Sequence, residues 1–90
     1  MTENVVIVKG DAGVHARPAM MLVKEAMKYA RCNVALIKGG VEADCKSIMS
    51  VLGLAIVSGS KLTVRADGDG EREAVENIVA MIENNFKDKN

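Results

Sequence analysis

The pair Gly39-Gly40 constrains this chain more than any other feature, because two adjacent glycines accept the positive φ angles of a tight hairpin turn. "CNVALIK" precedes the pair and "VEADC" follows it. A two-residue turn sets Lys38 opposite Val41, Leu36 opposite Ala43 and Val34 opposite Cys45. One face then collects Cys32, Val34, Leu36, Val41, Ala43 and Cys45, while Asn33, Ala35, Ile37, Glu42 and Asp44 occupy the other. That division predicts a sheet covered on one side only.

The remaining segments supply the cover. "VVIV", Val5 to Val8, reads as a first strand, and "GDAG" as the loop after it. From Ala16 to Ala30 the pattern is helical, with Ala19, Leu22, Val23, Ala26 and Ala30 on one face. Pro18 falls in the first turn, where no backbone N–H is owed to the helix. Ser47 is placed to cap a short helix through "IMSVLG" that Gly53 can end. "SGS" turns the chain into "KLTVRAD", where Leu62, Val64 and Ala66 alternate with Thr63 and Arg65. After "DGDGE", a last helix from Glu71 to Phe86 aligns Ala74, Val75, Ile78, Val79, Ile82 and Phe86. "KDKN" at the end is expected to fray. The order β-α-β-β-α-β-α predicts a two-layer α+β domain, an open-faced β-sandwich with a four-stranded, mainly antiparallel sheet under three helices. The ninety residues form one domain, 1–90, with its core in about 3–86.

Composition narrows the chemistry. Twelve basic residues balance twelve acidic ones, so the chain has no large basic field for nucleic acid. Tyr29 and Phe86 are the only aromatics, too few to stack bases. Cys32 and Cys45 form no CxxC pair and have one histidine to join them, which argues against a metal site and for two reduced, buried thiols. The start, "MTENVVIVKG", lacks a signal peptide's basic flank and long apolar stretch, and no run spans a bilayer. A cytoplasmic protein with no direct membrane insertion is expected.

"GVHARPA", residues 13–19, holds the chain's one histidine and one proline. It places His15 at or next to the cap of a helix, where unpaired N–H groups and a partial positive charge attract phosphate. A phosphoryl group on the ring would lie beside the N–H groups of Ala16 and Arg17, and the Arg17 guanidinium would add a fork of donors. Imidazole is a competent nucleophile near neutral pH. By itself this pattern fits either a phosphate-handling site or a surface histidine at a helix start.

"GVHARPA" after a first strand, "KSIMSVLGLAI" some thirty residues on, and "GSKLTVRADGDGEREAVENIVAMIE" together resemble HPr, the histidine-containing phosphocarrier family of the bacterial sugar phosphotransferase system. The resemblance runs through essentially the whole chain. It implies that His15 accepts a phosphoryl group on Nδ1 from phosphorylated enzyme I and passes it to the A domain of a sugar-specific enzyme II, with Arg17 steadying the group. It implies a carrier with a transient phosphohistidine rather than a stand-alone turnover enzyme. The protein would act as a monomer, without a cofactor or metal. The runner-up is a carrier serving a nitrogen-linked or dedicated regulatory branch. An acylphosphatase-type enzyme would need an asparagine-assisted water, and nothing pairs Arg17 with such a residue. Regulatory paralogues that lose carrier function typically lack the histidine present here.

Two surface features follow. At 100° per residue, Arg17, Lys24 and Lys28 share the first helix's outer face, with Met20 on its shoulder and Met21 among the basic residues. Adaptable methionines ringed by lysines suit acidic partners, and the resemblance adds Ile48 and Met49 to this docking patch. Ser47 is a sound helix cap. In many HPr proteins the matching serine is phosphorylated by HPr kinase/phosphorylase, and such members also serve a catabolite-control regulator. "KSIM" matches their form, while Ser50 follows where glycine is common.

Overall fold

A computed structural model describes residues 1–9 and 16–87. The expected loop at 10–13, His15 itself, and residues 88–90 of the expected frayed tail lie outside the described residues. Within them the chain runs β1 (Thr2–Ile7), α1 (Ala16–Met27), β2 (Cys32–Lys38), β3 (Val41–Asp44), α2 (Ile48–Gly53), β4 (Lys61–Gly68) and α3 (Glu71–Glu83). The sheet order is β1-β4-β2-β3, and every neighbouring pair is antiparallel. The result is the expected α+β open-faced sandwich.

The glycine pair does what its position implies. Gly39 and Gly40 take φ angles of 56° and 83°, the double reversal of a hairpin turn whose twist matches its strands. Lys38 faces Val41 and Leu36 faces Ala43. Beyond β3, the Cys45 N–H still donates to the Val34 carbonyl at 2.8 Å. Val41 departs from expectation. It shares the inner face by register yet stays exposed, at the hairpin tip, where it lines an open groove with Gly53 and Leu54.

The central strand β4 binds β1 on one side and β2 on the other. Its inward residues Leu62, Val64 and Ala66 are fully buried with Leu36 and with Leu22, Ile78 and Ile82 from the helices. Each such large side chain contributes on the order of 1.5–3 kcal/mol. On the open face, the Arg65 guanidinium donates to Glu3 on β1 and to Glu42 on β3, tying the two edges across the sheet. The apolar run of β1 splits: Val6 and Val8 are buried, whereas Val5 and Ile7 face outward at the edge.

Both long helices end earlier than their apolar stripes suggest. α1 stops at Met27, not Ala30, and tightens through Lys28 N–H to Glu25 O and Tyr29 N–H to Ala26 O. This turn buries Tyr29 and leaves Ala30 exposed. α3 stops at Glu83, not Phe86. The Phe86 N–H reaches Met81 O at 2.9 Å and the Asn85 N–H reaches Ile82 O at 3.0 Å, the paired bonds of a Schellman end. Asn85 takes the left-handed position usually given to glycine, with φ at 54°, and Phe86 folds back into the core. Gly53 does close α2, but the reversal comes at Ala55, with φ at 51°. Among the described residues no helix is long and apolar enough to cross a membrane.

Candidate phosphoryl-transfer site

α1 begins at Ala16, with Ala16 and Arg17 both exposed and Ala19 fully buried beneath them. The helix is thus rooted in the core three residues after its first amide. Twelve residues of aligned peptide dipoles end here, and Pro18 in the first turn carries no N–H. The contrast with α3 is informative. Glu71 and Glu73 stand in the first turn of α3 and offset its positive end, whereas the first turn of α1 holds no acidic residue. The exposed start of α1 thus carries the positive end of its dipole with no acidic side chain in the first turn to offset it, a position that favours an anion. His15 immediately precedes this turn in sequence and lies outside the described residues.

Ser47 occupies the N-cap of α2 with extended backbone angles of −116° and 112°. Its Oγ accepts from the Ser50 N–H at 3.3 Å, and its carbonyl accepts from the Val51 N–H at 3.0 Å. The hydroxyl oxygen therefore already serves the helix.

The residues expected to dock a partner divide by burial. Met20 and Met49 are exposed, at 48% and 75%, on α1 and α2, which pack against each other. Lys24 is exposed. Lys28 is exposed too, with its ammonium 3.0 Å from the Glu25 carboxylate. Ile48 and Met21 are half-buried against the core. Met21 lines a groove between α1 and α3 with Glu25, Asn77 and Met81, and with Lys28, one of the basic residues it was expected to lie among. Contact with α3 gives this side of α1 its partial cover.

Glu25 was not singled out by its sequence context, although it lies on the same stripe as Leu22 and Tyr29. It is almost fully buried, and accepts from the Tyr29 hydroxyl at 3.3 Å and the Asn77 amide at 3.5 Å. Glu73 approaches the same hydroxyl at 3.3 Å. Burial, with both carboxylates adding, pushes the Tyr29 hydroxyl up, so it remains a donor. This cluster pins α1 to α3. The signal for it was a charge on an apolar stripe.

Cys32 and Cys45 are both buried free thiols, and burial pushes Cys45 up to about 12, with Asp44 adding to the effect. No group of three or more His, Cys, Asp or Glu residues able to hold a metal occurs among the described residues.

The protein-family profile described as "PTS HPr component phosphorylation site" matches residues 2–84. The HPr-like protein Crh of Halalkalibacterium halodurans is 41% identical over 83 residues, covering 92% of this chain and 98% of its own. The phosphocarrier protein HPr of Haemophilus influenzae is 41% identical over 70 residues, covering 78% and 81%. Among solved structures, HPr-C-His from Thermoanaerobacter tengcongensis superposes with a TM-score of 0.91 at 32% identity, each chain covered in full. The chain belongs to the HPr family, the phosphocarriers of the phosphotransferase system.

Proposed function

We propose that this protein carries a phosphoryl group on His15 from phosphorylated enzyme I to the A domain of a sugar-specific enzyme II. The observation that carries the reading is the match to the phosphorylation-site family across residues 2–84, a span that includes the whole "HARP" block. The geometry supports it: the residue after His15 opens an exposed helix end whose first turn has no acidic residue, with Arg17 on the surface beside it. His15 Nδ1 attacks the phosphorus of phosphorylated enzyme I as its bond to the donor breaks. The first-turn amides of Ala16 and Arg17 and the Arg17 guanidinium hold the phosphoryl oxygens, and the acceptor's nucleophile then displaces His15. An open helix end binds the intermediate without burying it, which favours onward transfer over storage.

Met20, Met21, Lys24, Lys28, Ile48 and Met49 form the docking patch, and the protein works as a monomer in the cytoplasm. A second reading, a carrier for a nitrogen-linked or regulatory branch, draws on the match to an HPr-like protein Crh. Incubation with enzyme I and labelled phosphoenolpyruvate tests the main reading. Acid-labile, base-stable label is expected on the wild type and absent from His15→Ala. Label persisting in that variant would sink the assignment.

A further inference from the structure

Helix α2 has six residues, well short of the length at which an isolated helix persists in water. Its surroundings must therefore place it. Val51 is its one buried residue, and Ile48 adds partial cover. Polar contacts come from two lysines, one at each end. Ahead of the helix, the Lys46 ammonium donates to Tyr29 O at 2.8 Å, in the link between α1 and β2, and to Cys32 O at 2.6 Å, at the start of β2. The Lys46 backbone N–H is held in turn by the Asp44 carboxylate at 2.9 Å. Behind the helix, the Lys38 ammonium, arriving from the end of β2, donates to Leu54 O at 3.1 Å and to Ala55 O at 2.7 Å.

Both contacts are charge-assisted, and each puts a cation on a carbonyl just past a helix end, Lys46 at Tyr29 beyond α1 and Lys38 at Leu54 and Ala55 beyond α2. The reversal at Ala55 accompanies the convergence of two successive carbonyls on one ammonium. Lysine suits the task because its compact ammonium carries three donors and can serve two carbonyls from one point. Lys46 also adjoins Ser47, so what holds Lys46 to the end of α1 fixes the first residue of the α2 cap.

We propose that Lys46 and Lys38 are positioning residues that hold α2 at both ends and so set where Met49 and Ser47 stand relative to α1. The functional consequence rests on the carrier reading above; the structural one does not. Met49 and Met20 make a common surface for a partner only while the two helices keep their relative placement, and neither lysine is a proposed phosphoryl contact.

The test compares Lys46→Met, Lys38→Met and Lys46→Arg with the wild type. Methionine keeps an unbranched stem and removes the donors. Amide hydrogen exchange at Val51 and Ala55 should rise about tenfold in each methionine variant, as for losing a charge-assisted bond, while Ala74 and Asn84 of the α3 region hold their rates. In transfer from enzyme I, KM for the protein should rise several-fold with kcat within about twofold, because docking is weakened and phosphoryl chemistry is not. Lys46→Arg should restore most of both. Unchanged exchange at α2 overturns the proposal, even if KM rises, because that pattern marks only a lost surface charge. Faster exchange with unchanged KM overturns the positioning role. If the wild type takes no phosphoryl group from enzyme I, the carrier reading fails, and the exchange data alone decide whether the lysines hold α2.

Discussion

Ala55 holds a left-handed backbone with φ at 51°, where its β-carbon costs on the order of 1–2 kcal/mol. The side chain is exposed and contributes little packing. Ala55→Gly removes the steric cost and adds about 0.5–1 kcal/mol of unfolded-state entropy, leaving a small net stabilisation. The midpoint of thermal unfolding, followed by circular dichroism, should rise by roughly 2–6 °C for a chain of this size. A lower midpoint would mean that the position is unstrained. Gly68 is the opposite case. Its φ is 133°, and a β-carbon there would press on the Arg31 carbonyl and lie 2.9 Å from Cys32 Cα, so the residue permits the close approach of β4 to the start of β2. The sequence signals differ accordingly. "DGDG" announces a backbone exception at Gly68, while nothing in "LAIV" marks Ala55. Glycine at Gly53 was the visible candidate for the reversal, and the chain turns two residues later. The Lys38 ammonium that accompanies this turn comes from β2, seventeen residues away, and leaves no local trace in the sequence.

Elements were legible where their cause is local. Gly39-Gly40 carries the register of β2 and β3 over four residues on either side. The cap of α2 is equally local: Ser47 is the N-cap that its place before "IMSVLG" implies. Ends set by tertiary packing were not legible. Tyr29 turns inward towards Glu25 and Asn77, and that contact across 48 residues stops α1 short of Ala30. The six-residue length of α2 makes Ser47 a useful probe. Phosphate on its Oγ would sit at a helix start, where negative charge is tolerated, so α2 should persist in the modified protein. It would also add charge beside Met49 and weaken an acidic partner's approach. Incubation with HPr kinase and ATP, then peptide mass mapping, should place one phosphate on Ser47, with the far-ultraviolet spectrum unchanged. Phosphate absent from the Ser47 peptide, or a spectrum that loses helix on modification, would count against this reading of the cap.

At the scale of the whole molecule, the sheet order β1-β4-β2-β3 depends on pairings some sixty residues apart, such as Val6 with Leu62. No local pattern distinguishes β1 as an edge strand. Its "VVIV" looks fully buried until the open face is known, when Val5 and Ile7 prove to be the outward half of the alternation. What secures this edge at its outer end is Glu71 in the first turn of α3. Its carboxylate accepts from the Thr2 hydroxyl at 2.6 Å and the Gly68 N–H at 3.1 Å, and lies 2.8 Å from the Met1 ammonium. The ammonium first, then the Thr2 and Gly68 donors, hold Glu71 down to about 2 from its ordinary 4.5. Because the folded pKa is the lower one, the unfolded chain binds more protons across that interval, and stability rises with pH there. The contribution is complete above about 4.5 and is lost as pH falls towards about 2. The unfolding midpoint in denaturant should therefore decline through this window in the wild type and decline less steeply in Glu71→Gln. The difference should shrink at high salt, since the group is solvent-screened. Amide exchange in β1 should quicken over the same interval before β2 and β4 respond, because only the edge loses its anchor. Parallel pH profiles for the two proteins would show that the chain start contributes nothing to holding the sheet.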